Sequence, residues 1–123
     1  MSLNSKAKGK RGELELAKIL QGYGYPVRRT NQFCGNTGEA SDLVGLDNIH
    51  IECKRVERLD ISKAMKQAEN DAEKAGKEEW PTVFHRKNGE GWYVTMRLED
   101  WQKIYSAWFV LGTRDIELQV VKE

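Results

Sequence analysis

The chain has 123 residues, 32% of them Asp, Glu, Lys or Arg, and a formal net charge of +1. That length supports one hydrophobic core and leaves little room for a second, so a single domain over residues 1–123 is expected. No apolar run approaches the ~18 residues of a membrane span and no signal-peptide pattern opens the chain, so the expectation is a soluble, cytoplasmic protein with no membrane partner.

The charge is unevenly placed. Residues 1–38 hold Lys6, Lys8, Lys10, Arg11, Lys18, Arg28 and Arg29 against Glu13 and Glu15, a net of +5, which leaves −4 for the remainder. A basic segment on a near-neutral chain fits either a local anionic partner or a solubilising N-terminus. Cys34 and Cys53 are too few for a disulfide framework or a cysteine-rich zinc site, and both are expected as free thiols.

In chain order, residues 8–22 are predicted helical, because Leu16, Ile19, Leu20 and Tyr23 recur at helical spacing and Gly24 follows. Tyr25–Thr30 reads as a first strand with Pro26 at its start. Residues 31–38 form a Gly/Asn-rich loop. A hairpin then runs through Leu43-Val44, turns at Gly45-Leu46-Asp47-Asn48 and returns along Ile49–Lys54. Asp60 is a plausible N-cap for a second helix over 61–75, with Ile61, Ala64, Met65, Ala68, Ala72 and Ala75 on one face and Gly76 as its stop. Strands over 81–87 and 91–97 meet at Asn88-Gly89-Glu90. A third helix is expected over 98–106 and a last strand over 116–121. The order predicts a mixed α/β sandwich.

The period of two along the hairpin's second strand places Ile49, Ile51 and Cys53 on a buried face and His50, Glu52 and Lys54 on a polar one. The hairpin brings the Asp42 carboxylate toward Glu52, with the Lys54 ammonium one pleat further on. Two carboxylates can hold a hard divalent cation, and an adjacent lysine can orient or deprotonate water and stabilise charge on a phosphate. Metal-assisted phosphodiester hydrolysis suits that set, although a solvated polar strand face has the same alternation. His50 is read as a neutral surface histidine, with metal or phosphate binding as the alternative. His85-Arg86-Lys87 is either a phosphate contact or an outer strand face, and the four tryptophans are expected in the core and at a subunit interface.

Lys8-Gly9-Lys10-Arg11-Gly12-Glu13 opening a helix, then Ser41-Asp42, then Glu52-Cys53-Lys54, then a helix with Gln67, together resemble the PD-(D/E)XK nuclease superfamily. Within it the pattern is most similar to small archaeal and phage-type Holliday junction resolvases. The resemblance implies a restriction-endonuclease-like mixed β-sheet flanked by helices, in the order α-β-β-β-α-β-β-α. It implies Asp42, Glu52, the Cys53 carbonyl and Glu13 around Mg²⁺, with Mn²⁺ as substitute, Lys54 orienting the attacking water, and Gln67 as a minor member of the site. Lys8, Lys10, Arg11, Arg28, Arg29 and Arg55 are assigned to DNA, and a homodimer acting on branched DNA, four-way junctions above all, is implied. Position 41 is Ser where the superfamily's name has Pro. Leu14 stands where the archaeal resolvases often carry Arg, and Asp71 where some relatives carry Tyr. Glu13 borders the apolar stripe and leans toward the hairpin, whereas Glu15 is expected to point away. A VRR-type flap or end-processing nuclease, and a catalytically silent DNA-binding relative, are the competing readings.

Overall fold

The computed structural model describes residues 2–30 and 41–122, with side chains from residue 9 to residue 112. The predicted loop over 31–38, Cys34 and the side chain of Lys8 lie outside the described residues. Helix α1 is Ser2–Gly22, α2 Ile61–Ala75 and α3 Leu98–Lys122; the strands are β1 Arg28–Arg29, β2 Leu43–Val44, β3 Ile49–Arg55, β4 Trp80–Arg86 and β5 Tyr93–Met96. The five strands form one sheet in chain order. Strands β3 and β4 are parallel, from Ile49 opposite Trp80 to Arg55 opposite Arg86, and the other three pairings are antiparallel. A parallel pair needs a long crossover, and α2 supplies it. This is a restriction-endonuclease-like α/β architecture.

The two faces of the sheet carry different helices. Leu16 and Ala17 of α1 pack with Val27, Leu43, Ile51, Cys53 and Phe84, while Ala64 and Ala68 of α2 pack with Val83. Because neighbouring strand residues point to opposite faces, α1 and α2 cover opposite sides, and β3 is buried on both. The expected polar, solvent-facing side of β3 is therefore corrected: His50 is 0% exposed and Glu52 2%.

Helix α2 follows its local signals. Asp60 is extended and accepts from the Lys63 amide at 3.1 Å, and Gly76 stops the helix in the left-handed conformation at φ 70°. Its small residues Ala64, Ala68 and Ala72 are buried, so the helix axis lies close to the sheet. In α1 the predicted stripe is rotated: Ile19 is 39% exposed and Tyr23 74%, while Gly12, Leu16 and Ala17 are buried. Small residues won the contact because a Cβ on Gly12 would lie 2.8 Å from the Arg55 Cβ, so only glycine lets α1 approach β3. Gly45 is equally constrained, with φ 121° and space for no Cβ, since one would sit 2.7 Å from the Val27 Cα.

The first strand is shorter than expected, two residues rather than six, though Val27 is buried beside it. The predicted strand at 116–121 is helix: α3 runs unbroken through it. A helix satisfies its backbone hydrogen bonds locally, whereas a strand needs a neighbouring edge; no proline interrupts 98–122, and the helix continues through Gly112. Arg97 ties the start of α3 to the body of the domain, donating to the buried Asp100 at 2.8 Å and facing Glu69 of α2 at 3.7 Å.

Candidate active site

The β2–β3 hairpin brings Asp42 and Glu52–Cys53 together. Leu43 pairs with Ile51 and the Asp42 amide donates to the Ile51 carbonyl at 3.0 Å, which seats Asp42 beside the centre of β3. Its carboxylate then accepts the Cys53 amide, Oδ2 at 2.7 Å, a charge-assisted bond that fixes the side chain. The buried Thr30 hydroxyl donates to the Ser41 carbonyl at 2.8 Å and anchors the same stretch from β1. Two residues beyond Glu52 on the same face, Lys54 is half-buried and makes no hydrogen bond or ion pair with another described residue.

Cys53 contributes through its backbone. The thiol lies in the α1-side core, and burial followed by the fields of Asp42, Glu13, Glu52 and Glu15 pushes its pKa well above the ordinary range. A protonated thiol is a poor ligand.

Helix α1 contributes two carboxylates to the vicinity. Glu13 is 12% exposed and accepts from the Arg29 Nε at 2.7 Å, so the arginine expected on DNA neutralises the glutamate expected near the cation. Glu15 does not point away. It binds Arg86, faces Arg55 at 3.3 Å and accepts the Trp92 indole N–H at 3.0 Å. Two arginines at the ends of β3 and β4 compensate a carboxylate turned toward the sheet, which helical spacing of apolar residues could not reveal. Of the residues assigned to DNA, Lys10, Arg11 and Arg28 are exposed. Arg29 and Arg55 are held in the ion pairs just described.

On the α2 face of β3 the geometry goes beyond the expected set. His50 Nδ1 lies 2.8 Å from the Ser41 hydroxyl and 4.0 Å from Glu79, and its Nε2 is 3.6 Å from Glu52 Oε1. That last separation is too long for a hydrogen bond, and both atoms are buried without a hydrogen-bond partner among the described residues. Asp71 of α2 reaches the same point, so that one ligand atom from each of His50, Glu52 and Asp71 lies within 4.8 Å of the others. Gln67, one turn earlier on α2, is exposed. His50 is thus a buried core histidine in a polar cluster, not the expected surface one. The only sequence signal for Asp71 is its place next to the buried Ala68–Ala72 row, where a charged residue needs a partner.

A family model described as "Phage putative PDDEXK endonuclease" matches residues 4–122. The chain belongs to this PD-(D/E)XK endonuclease family. No curated protein matches it. The match takes in the helix that carries Glu13, the Asp42 hairpin, Glu52-Cys53-Lys54 and all five strands. PD-(D/E)XK nucleases generally use divalent metals, and buried, unpartnered Glu52 Oε1 is the kind of atom such an ion satisfies. Among the described residues, no helix is long and apolar enough to cross a membrane.

Proposed function

We propose that this PD-(D/E)XK protein is a structure-selective endodeoxyribonuclease that hydrolyses phosphodiester bonds in branched DNA, in the manner of a Holliday junction resolvase, with Mg²⁺ as its cofactor. The observation that carries the reading is the hairpin itself: an Asp42 carboxylate bonded to the Cys53 amide, the adjacent Glu52 with its Oε1 unsatisfied, and a Lys54 two residues on that has no polar partner among the described residues. Asp42, Glu52 and the Cys53 carbonyl would hold the cation, whose chemistry is to polarise the scissile phosphate and make water more acidic. Lys54 orients the attacking water and offsets charge that builds on the phosphate. The Cys53 amide orients the Asp42 carboxylate for this role.

Glu13 supports the site through its field and through Arg29, which it keeps at the edge of β1. The exposed Lys10, Arg11 and Arg28 supply phosphate contacts, with Lys8 in the same helix. The apolar surface of α3 favours a homodimer, since Trp101, Tyr105, Trp108 and Phe109 are 46–64% exposed and form stacked or tilted ring pairs along one helix. Two sites related by a twofold axis suit paired incisions at a four-way junction.

The deciding experiment compares cleavage of a four-way junction, a flap and a plain duplex, with Mg²⁺ and with excess EDTA. Junction cleavage with Mg²⁺ alone is expected. Preference for the flap would move the protein to the VRR-type activity, and junction binding without cleavage under any divalent ion would make it a silent relative.

A further inference from the structure

Among the described residues three buried side-chain nitrogen or oxygen atoms lack a hydrogen-bond partner; Arg55 Nε at least faces Glu15 at 3.3 Å, which leaves His50 Nε2 and Glu52 Oε1 unexplained. His50 is fully buried and Glu52 is 2% exposed, and neither His50 Nε2 nor Glu52 Oε1 has a hydrogen-bond partner among the described residues. Buried polar atoms are nearly always satisfied, and leaving one unpaired costs on the order of 1–3 kcal/mol. The two atoms are 3.6 Å apart, and one ligand atom from each of His50, Glu52 and Asp71 lies within 4.8 Å of the others.

We propose that His50 Nε2, Glu52 and Asp71 form a second metal site, on the α2 face of β3, that takes a zinc-class divalent transition ion in preference to Mg²⁺. Three features of the geometry carry it. The 3.6 Å between Nε2 and Oε1 is too long for a direct hydrogen bond, yet shorter than twice the ~2.1 Å of a zinc–ligand bond, so one ion can touch both. The other ring nitrogen is already engaged: Nδ1 sits 2.8 Å from the Ser41 hydroxyl, and donating its proton there leaves the Nε2 lone pair free and fixes the ring. The third ligand comes from a different element, α2, so the ion would pin the crossover helix to the central strand. An imidazole with two carboxylates suits zinc and its neighbours, whereas Mg²⁺ prefers oxygen ligands and retains its waters. The rival explanation, a buried imidazolium–carboxylate pair, predicts direct contact at hydrogen-bond length, with Asp71 outside it.

The site shares Glu52 with the Asp42 centre but does not use Asp42. Its test measures binding without DNA, so it stands or falls separately from the nuclease reading. Zn²⁺ and Mg²⁺ are titrated calorimetrically into the metal-stripped full chain and into Asp42→Ala, His50→Gln and Asp71→Ala, with circular dichroism to check folding. Zn²⁺ is expected to bind wild type and Asp42→Ala alike, and at least tenfold more weakly to His50→Gln and Asp71→Ala. Because Asp71 is only half-buried on a helix, Asp71→Ala decides the matter if His50→Gln does not fold. Pulsed EPR of bound Mn²⁺ is expected to show coupling to an imidazole nitrogen that Asp42→Ala retains. Zinc affinity within twofold of wild type in Asp71→Ala, affinity lost only in Asp42→Ala, or no nitrogen coupling would overturn the proposal.

Discussion

Lys54 separates chemistry from binding more cleanly than any other residue. It makes no hydrogen bond or ion pair with another described residue, while positioned proton-transfer and charge-stabilising groups contribute about 10²–10⁴-fold. Lys54→Ala is expected to lower single-turnover cleavage by at least ~10²-fold and to leave junction affinity within a few-fold; normal cleavage would reduce Lys54 to strand surface. Glu13 is a different case, because its carboxylate already has Arg29 at 2.7 Å. If Glu13 acts on the cation, Glu13→Gln folds, binds junction DNA and loses most cleavage. If its role is to hold Arg29, cleavage stays within about twofold, a barrier change under ~0.5 kcal/mol, and Arg29→Ala reproduces whatever effect remains. His85 adds a pH dependence. Its burial lowers its pKa below the ordinary 6.5, and its Nε2 lies 2.8 Å from the Thr95 hydroxyl. The folded state thus resists a proton that the unfolded chain accepts, so stability holds above about pH 6.5 and falls as the pH drops through the lowered pKa. Melting temperatures measured between pH 7.5 and 5 should decline, and His85→Gln should shallow that decline.

Among the elements, α1 and α2 are positioned by what they lack. The closeness of α1 to β3 rests on the missing side chain at Gly12, where an added Cβ would meet the Arg55 Cβ at 2.8 Å. Gly12→Ala gains up to about 1 kcal/mol of helix propensity and meets overpacking of about 1–3 kcal/mol. A net loss of stability by urea denaturation is expected, together with a weakened Glu15–Arg55 pair. An unchanged midpoint would mean that the helix is free to shift. Closeness on the other face comes from Ala64, Ala68 and Ala72, and α2 begins at a cap whose loss in Asp60→Ala should cost about 1 kcal/mol. That helix also carries Asp71, so its docking sets the distance from Asp71 to His50 and Glu52.

For the whole molecule, α3 contributes none of its described residues to the two hydrophobic clusters. Its aromatic ladder of Trp101, Tyr105, Trp108 and Phe109 is more apolar surface than a small monomer ordinarily exposes. The expected outcome of sedimentation at micromolar concentration is a dimer, shifted toward monomer by Trp108→Glu together with Phe109→Glu, with the fold intact by circular dichroism. A wild-type monomer near 14 kDa that still cuts junctions would refute dimerisation through this helix.

What the sequence determined by itself was whatever rests on local chemistry. Asp60 and Gly76 bracket α2 by capping, Asn88-Gly89 turns β4 into β5, and the spacing of Asp42, Glu52 and Lys54 in a hairpin is a property of the strand period. The family pattern is carried by those same short-range features. Only the tertiary structure decided which strand is central, because parallel pairing of β3 with β4 joins segments separated by a whole helix. That pairing buried both faces of β3, turned His50 from a surface residue into a core one, brought Asp71 to Glu52, and gave Glu15 two arginine partners from distant strands. Segment 116–121 is helical as the continuation of α3, a case where local strand propensity is overridden by context.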